Sequence, residues 1–299
     1  MSDIRIGISG WRYAPWRGDF YPKGLAQRQE LEYASRAVTS IEINGSFYAL
    51  QTPQRYANWF ADTPDDFVFS VKAPRYITHV RRLRDIPQPL ANFFASGLLQ
   101  LKNKLGAVLW QFPPSLQFDA PLFENFLAQL PQDTDQARAL ARHASARLHV
   151  SGYLEAEPGQ PLRHAVEVRN SSFVTPEFVE LLRHHRVALV VADTAGKWPY
   201  AEDVTADFMY LRLHGDAKLY TSGYSPQALQ RWQARIEAWS AGGQPEDAQL
   251  IDPDHQPRRQ ARDLYCYFDN DVKVRAPYDA RHLLENLGRL PQPDEGTRT

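Results

Sequence analysis

The stretch Phe-Met-Tyr-Leu-Arg-Leu-His-Gly-Asp, residues 208–216, decides the fold of this chain. In an extended strand alternate side chains point to opposite faces, so Tyr210, Arg212 and His214 share one face and the apolar residues between them share the other. Strands of a buried parallel sheet are usually apolar on both faces. Charge-capable groups at the C-terminal end of this strand, just before a glycine, therefore indicate a strand that ends in a polar site.

Strand patterns of this length recur along the chain, mostly separated by helical patterns. The predicted strands begin near residues 4, 40, 67, 105, 163, 187, 208 and 264. The clearest helix covers residues 225–239, where Ser225 is a capping residue and Pro226 occupies the first turn. Another is predicted over 135–149, whereas 195–207 is predicted to be a loop with at most a short helix.

Alternating strands and helices imply parallel strands joined by right-handed crossovers. Eight such units favour a single, somewhat irregular (β/α)8 TIM-type barrel of the α/β class. An open doubly wound sheet is disfavoured, because no glycine-rich dinucleotide or phosphate loop follows any strand. We expect one barrel domain over residues 1–290, a polar surface insertion at 242–262 before the last strand, and a flexible tail at 291–299.

Composition excludes several classes of protein. The 34 basic and 35 acidic residues nearly cancel, so no global field favours nucleic acid or an acidic membrane, although a local basic cleft is still compatible. The single cysteine, Cys266, excludes an internal disulfide framework and fits a reducing compartment. The sequence shows neither a secretory signal pattern nor an apolar stretch of membrane-spanning length. We therefore expect a cytoplasmic protein without a membrane partner, and the sequence leaves its oligomeric state open.

Functional groups of such barrels come from the C-terminal ends of the strands and the loops that follow. Here these ends carry polar or ionisable residues: Glu42, Asn44, Lys72, Gln111, Glu167, Arg169, Asp193, Arg212, His214 and Asn270. Any one pair, such as Glu167 with Arg169, has a structural interpretation as an ion pair that caps the core. The whole set at one rim instead indicates a site for a polar ligand.

The set divides by chemistry into three groups. The candidates for general acid/base catalysis are Glu42, Glu167, Asp193 and His214. The candidates for binding an anion such as phosphate or carboxylate are Lys72, Arg169 and Arg212. The amides that would bind hydroxyl groups are Asn44, Gln111 and Asn270.

Aromatic loop residues and one loop histidine extend the candidate ligand site. Trp11, Tyr13 and Tyr48 are positioned to line a cleft and stack on a sugar or base, or else to pack the loop itself. His79, which follows the third strand, is expected to reach the mouth of the barrel, although a surface role is an equal alternative.

A divalent metal is an alternative that the strand ends suggest. Glu167, Asp193 and His214 form a plausible set of two carboxylates and an imidazole, similar to that of metal-dependent sugar isomerases and epimerases. The eighth strand, however, offers Asn270 to the site and places Asp269 on its opposite face. Interleaved arginines would also repel a cation. We therefore expect no metal ligands and no tightly held cofactor.

Motifs along nearly the whole chain resemble the YecE-like TIM-barrel family of unknown function. They are residues 7–13, 41–48, 69–74, 111–114, 167–169, 212–215 and 268–271. The resemblance implies a TIM-type fold and no particular reaction. The chain departs from the family pattern at Asn170 and Phe173, where histidine and tryptophan are usual, and at Asp269, where asparagine is usual.

Together these patterns predict an enzyme that binds a small anionic, hydroxyl-bearing molecule, such as a sugar phosphate or nucleotide, and acts by general acid/base chemistry. A metal-dependent isomerase or epimerase is one alternative. A protein that binds or processes nucleic acid, with the aromatic loop as a stacking platform, is another. A non-catalytic ligand-binding barrel is also compatible with the sequence.

Overall fold

In a computed structural model, residues 2–146, 148, 153–255 and 257–291 are described. Eight parallel strands form a closed barrel in chain order, which confirms the predicted fold class. The strands are β1 Ile4–Ser9, β2 Ser40–Ile43, β3 Val68–Lys72, β4 Leu105–Gln111, β5 Arg163–Glu167, β6 Ala188–Asp193, β7 Phe208–Leu213 and β8 Asp263–Phe268.

The α-helices of the described residues surround this barrel. They are α1 Glu30–Ala37, α2 Gly45–Tyr48, α3 Pro53–Ala61, α4 Pro87–Ala95, α5 Ala120–Leu127, α6 Thr134–Ala141, α7 Pro176–His184, α8 Pro226–Ser240 and α9 Arg275–Asn286. Helix α8 begins as predicted, with the Ser225 side chain accepting a hydrogen bond from the Ala228 N–H. The helix predicted over 135–149 ends earlier, at Ala141, and residues 147 and 149 lie outside the described part of the chain. None of the helices in the described ranges is both long and apolar enough to span a membrane.

The two faces of the strands bury different kinds of residue. Outward-facing side chains such as Leu211 and Leu213 of β7 belong to the large apolar core between the strands and the helices. Inside the barrel, alanines of β4 to β6 pack with tyrosines of β7 and β8: Ala107, Ala165, Ala188, Ala192, Tyr210, Tyr265 and Tyr267. The Tyr267 hydroxyl lies 2.7 Å from Ser40 Oγ and 2.8 Å from Ser70 Oγ. Tyrosines thus fill the barrel interior below its C-terminal mouth.

The described residues of the polar segment 242–262 lie mostly on the surface, but hydrogen bonds attach them to the connection between β6 and β7. The backbone N–H of Gln249 donates to Glu202 Oε2 at 2.8 Å, and the N–H of Ile251 donates to Asp203 Oδ2 at 2.8 Å. Arg262, at the end of the segment, is 1% exposed and donates to the carbonyl oxygen of Gly243 at 3.0 Å. The segment therefore packs against the barrel despite its low apolar content.

Candidate functional site

Arg212 is the centre of a buried charge network at the C-terminal end of the barrel. Its Nε and Nη2 bind both carboxylate oxygens of Glu42, at 3.0 and 2.9 Å. Its Nη1 donates to Glu167 Oε2 at 2.6 Å, and Nη2 also donates to Asp269 Oδ2 at 2.9 Å. One guanidinium thus joins three carboxylates from β2, from β5 and from the residue that follows β8.

Further donors complete the hydrogen bonding of the two glutamates. Glu42 accepts from the Tyr210 hydroxyl at 2.7 Å and from Ser9 Oγ at 3.0 Å. Glu167 accepts from Arg169 Nε at 2.7 Å, and the Arg169 guanidinium stacks 3.8 Å from the centre of the Trp198 ring. A buried charge is tolerated when it is paired and hydrogen-bonded in this way.

The pKa directions agree with a network that stays ionised. Burial by itself would raise the pKa of Glu167, but Arg169 and Arg212 hold it well below its usual range. Burial likewise opposes ionisation of Asp269, yet Arg212 lowers the pKa of this carboxyl to about 2. In Arg212, burial disfavours the charge while Glu42 and Glu167 raise its pKa well above the usual value. Glu167 and Asp269 are therefore ionised near neutral pH and make poor proton donors.

Beside this network, a cavity of about 510 Å³ opens at the mouth of the barrel. Its lining comes from the ends of the strands and from the loops after them: Tyr13, Asn44, Phe47, Tyr48, Lys72, Arg75, His79, Gln111, Arg169, Arg212, Tyr220, Asp269 and Asp271. A cavity of this volume is suited to a small molecule.

Lys72, at the end of β3, is an unpaired buried cation in this wall. Its Nζ lies 4.2 Å from the centre of the Phe47 ring, and no described residue accepts a hydrogen bond from it or forms an ion pair with it. Burial and the charge of Arg212 lower its pKa to about 8, although the carboxylates of the network, Glu42, Glu167 and Asp269, act in the opposite direction. Arg75 also lines the cavity, is exposed, and has no carboxylate partner among the described residues.

Asp271 brings a carboxyl group of a different kind to the same wall. Burial and the nearby Asp269 raise its pKa to about 6. It follows β8 in a short 3-10 turn, Asp271–Lys273, whose backbone accepts a hydrogen bond from Trp16 Nε1 at 3.2 Å. Asp271 and Lys72 thus have pKa values on either side of neutral, a combination suited to proton transfer.

Polar uncharged groups of the cavity are suited to hydroxyl recognition. Asn44 Oδ1 is buried and has no hydrogen-bond partner in the described part of the chain. Gln111 Nε2 donates to the carbonyl oxygen of Phe112 at 2.6 Å, and the Tyr13 hydroxyl donates to the carbonyl oxygen of Ser9 at 2.5 Å. A buried acceptor without a donor is costly, so Asn44 favours a ligand that donates a hydrogen bond.

His79 lies in the cavity wall on a π-helical turn after β3, Tyr76–Val80. Its Nδ1 lies 2.8 Å from Thr78 Oγ1, and its ring meets that of Phe47 edge to face. Burial and the charge of Lys72 lower its pKa to about 4. This imidazole is therefore neutral at physiological pH and resists protonation.

The structure brings eight of the predicted site residues to the cavity surface: Tyr13, Asn44, Tyr48, Lys72, His79, Gln111, Arg169 and Arg212. Glu42 and Glu167 lie behind it in the charge network. His214 is fully buried there, with Nδ1 3.0 Å from Asp269 Oδ2.

Three predicted residues face away from the cavity. Asp193 lies outside because the inward positions of β6 are Ala188, Val190 and Ala192; its Oδ2 accepts a hydrogen bond from the Tyr224 hydroxyl at 3.0 Å. Asn270 Nδ2 donates to Asp279 Oδ2 at 2.8 Å. Trp11 is 6% exposed and lines a neighbouring groove of about 530 Å³.

One expectation about a strand end needs correction. Asp269, and not Asn270, continues the inward alternation of Tyr265 and Tyr267, so the expected orientation of β8 at its end was wrong. In addition, no three His, Cys, Asp or Glu side chains within the described ranges are arranged to hold a metal ion, which includes the set suggested by strands five to seven. Arginines occupy the space between the carboxylates.

Sequence reasoning missed several lining residues: Phe47, Arg75, Tyr220, Asp269 and Asp271. Phe47 lies in the short helix α2, and Arg75, Tyr220 and Asp271 lie in turns after other strands, so strand alternation gives no direction for any of them. For Asp269 the signal was present, because its spacing from Tyr265 and Tyr267 places all three on one face.

A closed parallel barrel with a charged cavity at the C-terminal ends of its strands defines a TIM-type barrel protein with a site in the usual place for this fold. Residues 5–298 match the family described as "Protein of unknown function DUF72". The chain belongs to this family, which confirms the resemblance found in its motifs.

Two named relatives and two solved structures agree with this assignment. UPF0759 protein YecE of Escherichia coli (strain K12) is 30% identical over 240 residues, which cover 79% of this chain and 82% of YecE. UPF0759 protein YunF of Bacillus subtilis (strain 168) is 34% identical over 119 residues, 37% of this chain and 40% of YunF.

The solved structures are two DUF72 family proteins. The protein from Thermotoga maritima MSB8 has a TM-score of 0.70 at 25% identity and covers 96% of this chain and 99% of its own. The protein from Enterococcus faecalis V583 has a TM-score of 0.67 at 16% identity, with 98% and 99% covered, and supports the fold.

Proposed function

We propose that this protein is an enzyme that binds a small anionic, hydroxyl-bearing molecule, of the sugar phosphate or nucleotide class, in the mouth of the barrel. The observation that carries the proposal is the pair of cations, Lys72 and Arg75, that line the cavity without a carboxylate partner among the described residues. A desolvated ammonium group is costly unless an anion compensates it. A phosphate or carboxylate group of a ligand supplies that compensation.

Proton transfer in this proposal falls to Asp271 and Lys72. Between pH 6 and pH 8 the carboxyl of Asp271, with a pKa of about 6, is mostly ionised, and Lys72, with a pKa of about 8, is mostly protonated. One group then accepts a proton while the other donates one. Asn44 and Gln111 supply hydrogen bonds for hydroxyl groups of the same ligand.

The test is a calorimetric titration with ribose 5-phosphate and, in parallel, with ribose. We expect the phosphorylated sugar to bind at least about tenfold more tightly, a difference of about 1.4 kcal/mol. Lys72→Met and Arg75→Ala are each expected to weaken binding of the phosphate compound by about 1.5–3 kcal/mol if a charged hydrogen bond is lost.

Lys102→Met is the matched control, because Lys102 also faces a phenylalanine ring, with Nζ 5.3 Å from the centre of Phe60. It precedes β4 and therefore lies at the opposite end of the barrel. Its replacement should leave the titration unchanged. Equal affinity for ribose and ribose 5-phosphate, or no binding of either, would contradict the proposal.

A further inference from the structure

Two lysines of the described residues, Lys72 and Lys104, are buried, and they differ in their hydrogen-bond partners. Lys104 Nζ donates to the carbonyl oxygens of Phe60 and Thr63, each at 2.8 Å, and lies 3.3 Å from Thr63 Oγ1. Those acceptors stabilise its ammonium form. Lys72 is 9% exposed and has no such acceptor among the described residues. Burial lowers the pKa of Lys104, but hydrogen bonds occupy its amine, whereas the amine of Lys72 has no acceptor among the described residues and is available to a ligand.

The environment of Lys72 also activates its amine. The Phe47 ring lies over the amine, 4.2 Å from Nζ, and Arg75, Arg169 and Arg212 surround the same cavity. Desolvation and neighbouring cations favour the neutral amine, and these are the conditions under which lysines act as nucleophiles toward carbonyl groups. With a pKa of about 8, a substantial fraction of Lys72 is unprotonated just above neutral pH.

The cavity geometry selects the class of carbonyl compound. Its volume of about 510 Å³ admits a small molecule, and its lining includes Arg75, which has no carboxylate partner among the described residues. Arginine binds carboxylate and phosphate groups through its planar fork of donors. A compound with an aldehyde or ketone at one position and an anionic group at another presents a carbonyl carbon to the lysine and an anion to the arginine.

We propose that Lys72 is a nucleophile that forms an imine with the carbonyl carbon of a small oxo acid or oxo phosphate held in this cavity. The proposal rests on the anion site described above and assigns it a substrate class and a covalent step.

The lone pair of neutral Nζ attacks the carbonyl carbon, and the carbonyl π electrons move to oxygen, which takes up a proton to give a carbinolamine. The hydroxyl group then leaves as water, with one proton from nitrogen, as the C=N bond forms. Asp271, whose pKa is about 6, lies in the same wall and is suited to relay these protons. A protonated imine withdraws electrons from adjacent bonds, so the reaction class is bond cleavage or proton removal next to the former carbonyl.

Reductive trapping tests the proposal. The full-length protein is incubated at pH 7.5 with pyruvate, glyoxylate, dihydroxyacetone phosphate or glyceraldehyde 3-phosphate in the presence of cyanoborohydride. Intact mass measurement and peptide mapping then locate the adducts. We expect at least one probe to add its own mass less one oxygen atom, once per chain, on Lys72. Occupancy at Lys72 should exceed that at the control residue Lys102 by at least about tenfold, because burial and the charge of Arg212 favour the neutral amine of Lys72 and the cavity holds the probe beside it.

Two variants and a parallel titration make the outcome decisive. Lys72→Arg keeps a positive charge but should lose the adduct, whereas Lys102→Arg should keep it. Adducts spread evenly over surface lysines, or no adduct on Lys72 with any of the four probes, would overturn the proposal. If ribose 5-phosphate still binds in that case, only the imine fails. If it does not bind either, the anion site fails as well.

Discussion

The barrel mouth contains two adjoining regions that differ in whether their charged groups have ion-pair partners. We call Glu42, Glu167, Arg212 and Asp269 the floor, and Lys72, Arg75 and Asp271 the wall. In the floor the arginine is bound by all three carboxylates, at distances of 2.6 to 3.0 Å. In the wall the lysine and the arginine have no carboxylate partner among the described residues.

The difference shows that position at a strand end does not by itself define a reactive group. Glu42 and Lys72 both come from the ends of strands and both are buried. The charged groups of the floor pair with one another. They therefore contribute to the stability of the fold and to the local electrostatic potential. The buried ammonium of Lys72 has a poorly compensated desolvation cost, and the exposed Arg75 has no carboxylate partner among the described residues, so these two cations are the ones that an anionic ligand stabilises. Four experiments separate the two regions.

The largest effect is expected in the floor. Replacing Arg212 with Met leaves three carboxylates without their shared cation, and breaking a buried pair in this way typically costs about 3–5 kcal/mol. The free energy of unfolding, measured with urea at pH 7, should fall by that amount. Arg231→Met is the control, because that side chain is 67% exposed with its nearest carboxylate oxygen 3.8 Å away. A loss below about 0.5 kcal/mol for Arg212→Met, as for a surface site, would show that the floor is not a closed network.

In the wall we expect the opposite result, that replacing the buried lysine raises the free energy of unfolding. Because the folded-state pKa of Lys72 is about 8 against an ordinary 10.5, folding disfavours its charged form. This destabilisation is fully present below pH 8, shrinks as pH rises from 8 to 10.5, and is absent above that range. Lys72→Met should therefore raise the free energy of unfolding by about 1–3 kcal/mol at pH 7.

The same measurement at pH 9.5 checks the cause of that gain. The gain should be smaller there, since part of the lysine is already neutral in the folded state. A Lys72→Met variant that is less stable than the parent at pH 7 would mean that the wall lysine is compensated after all.

The affinity of the cavity for an anion should depend on the protonation state of Lys72. Sulfate is the probe because its own charge is constant between pH 5 and pH 9. As pH rises through about 8, Lys72 loses its charge, so the affinity for sulfate should fall by about tenfold, which is within the range for one charged hydrogen bond. In Lys72→Met the affinity for sulfate should no longer fall as the pH rises through about 8. If the pH dependence of sulfate affinity is the same in the variant as in the parent, a group other than Lys72 is responsible for it.

The smallest effect is expected at the acidic residue of the wall. Asp271 becomes negatively charged as pH rises through about 6, which opposes anion binding. Asp271→Asn should therefore raise sulfate affinity about two- to threefold at pH 7.5 and should remove the dependence between pH 5 and pH 7. Asp216→Asn, at a residue outside the cavity lining, is the control. Weaker sulfate binding by Asp271→Asn would contradict the assignment.

The sequence by itself determined the barrel and most of its strand ends. Runs of apolar and β-branched residues, several of them ending at glycine or proline, marked eight strands, and every one forms within a residue or so of its predicted start. Capping signals such as Ser225-Pro226 worked for the same reason, because they depend only on neighbouring residues. These are local properties, which a single sequence contains in full.

Only the tertiary structure decided which of the strand-end groups face the cavity. Strand β6 is apolar on both faces, so its sequence gives no sign that Asp193 points outward. Arg75 and Asp271 enter the cavity through turns, whose direction depends on packing.

The ion pairs of the floor form only because the barrel closes. Arg212 meets Glu42, which is 170 residues away, only because β1 pairs with β8 and thereby completes the ring. Glu42 and Glu167 have the sequence appearance of catalytic acids, yet this closure makes them partners of an arginine. The cavity cations Lys72 and Arg75 are left without such partners by the same geometry, since the carboxylates of the floor converge on Arg212.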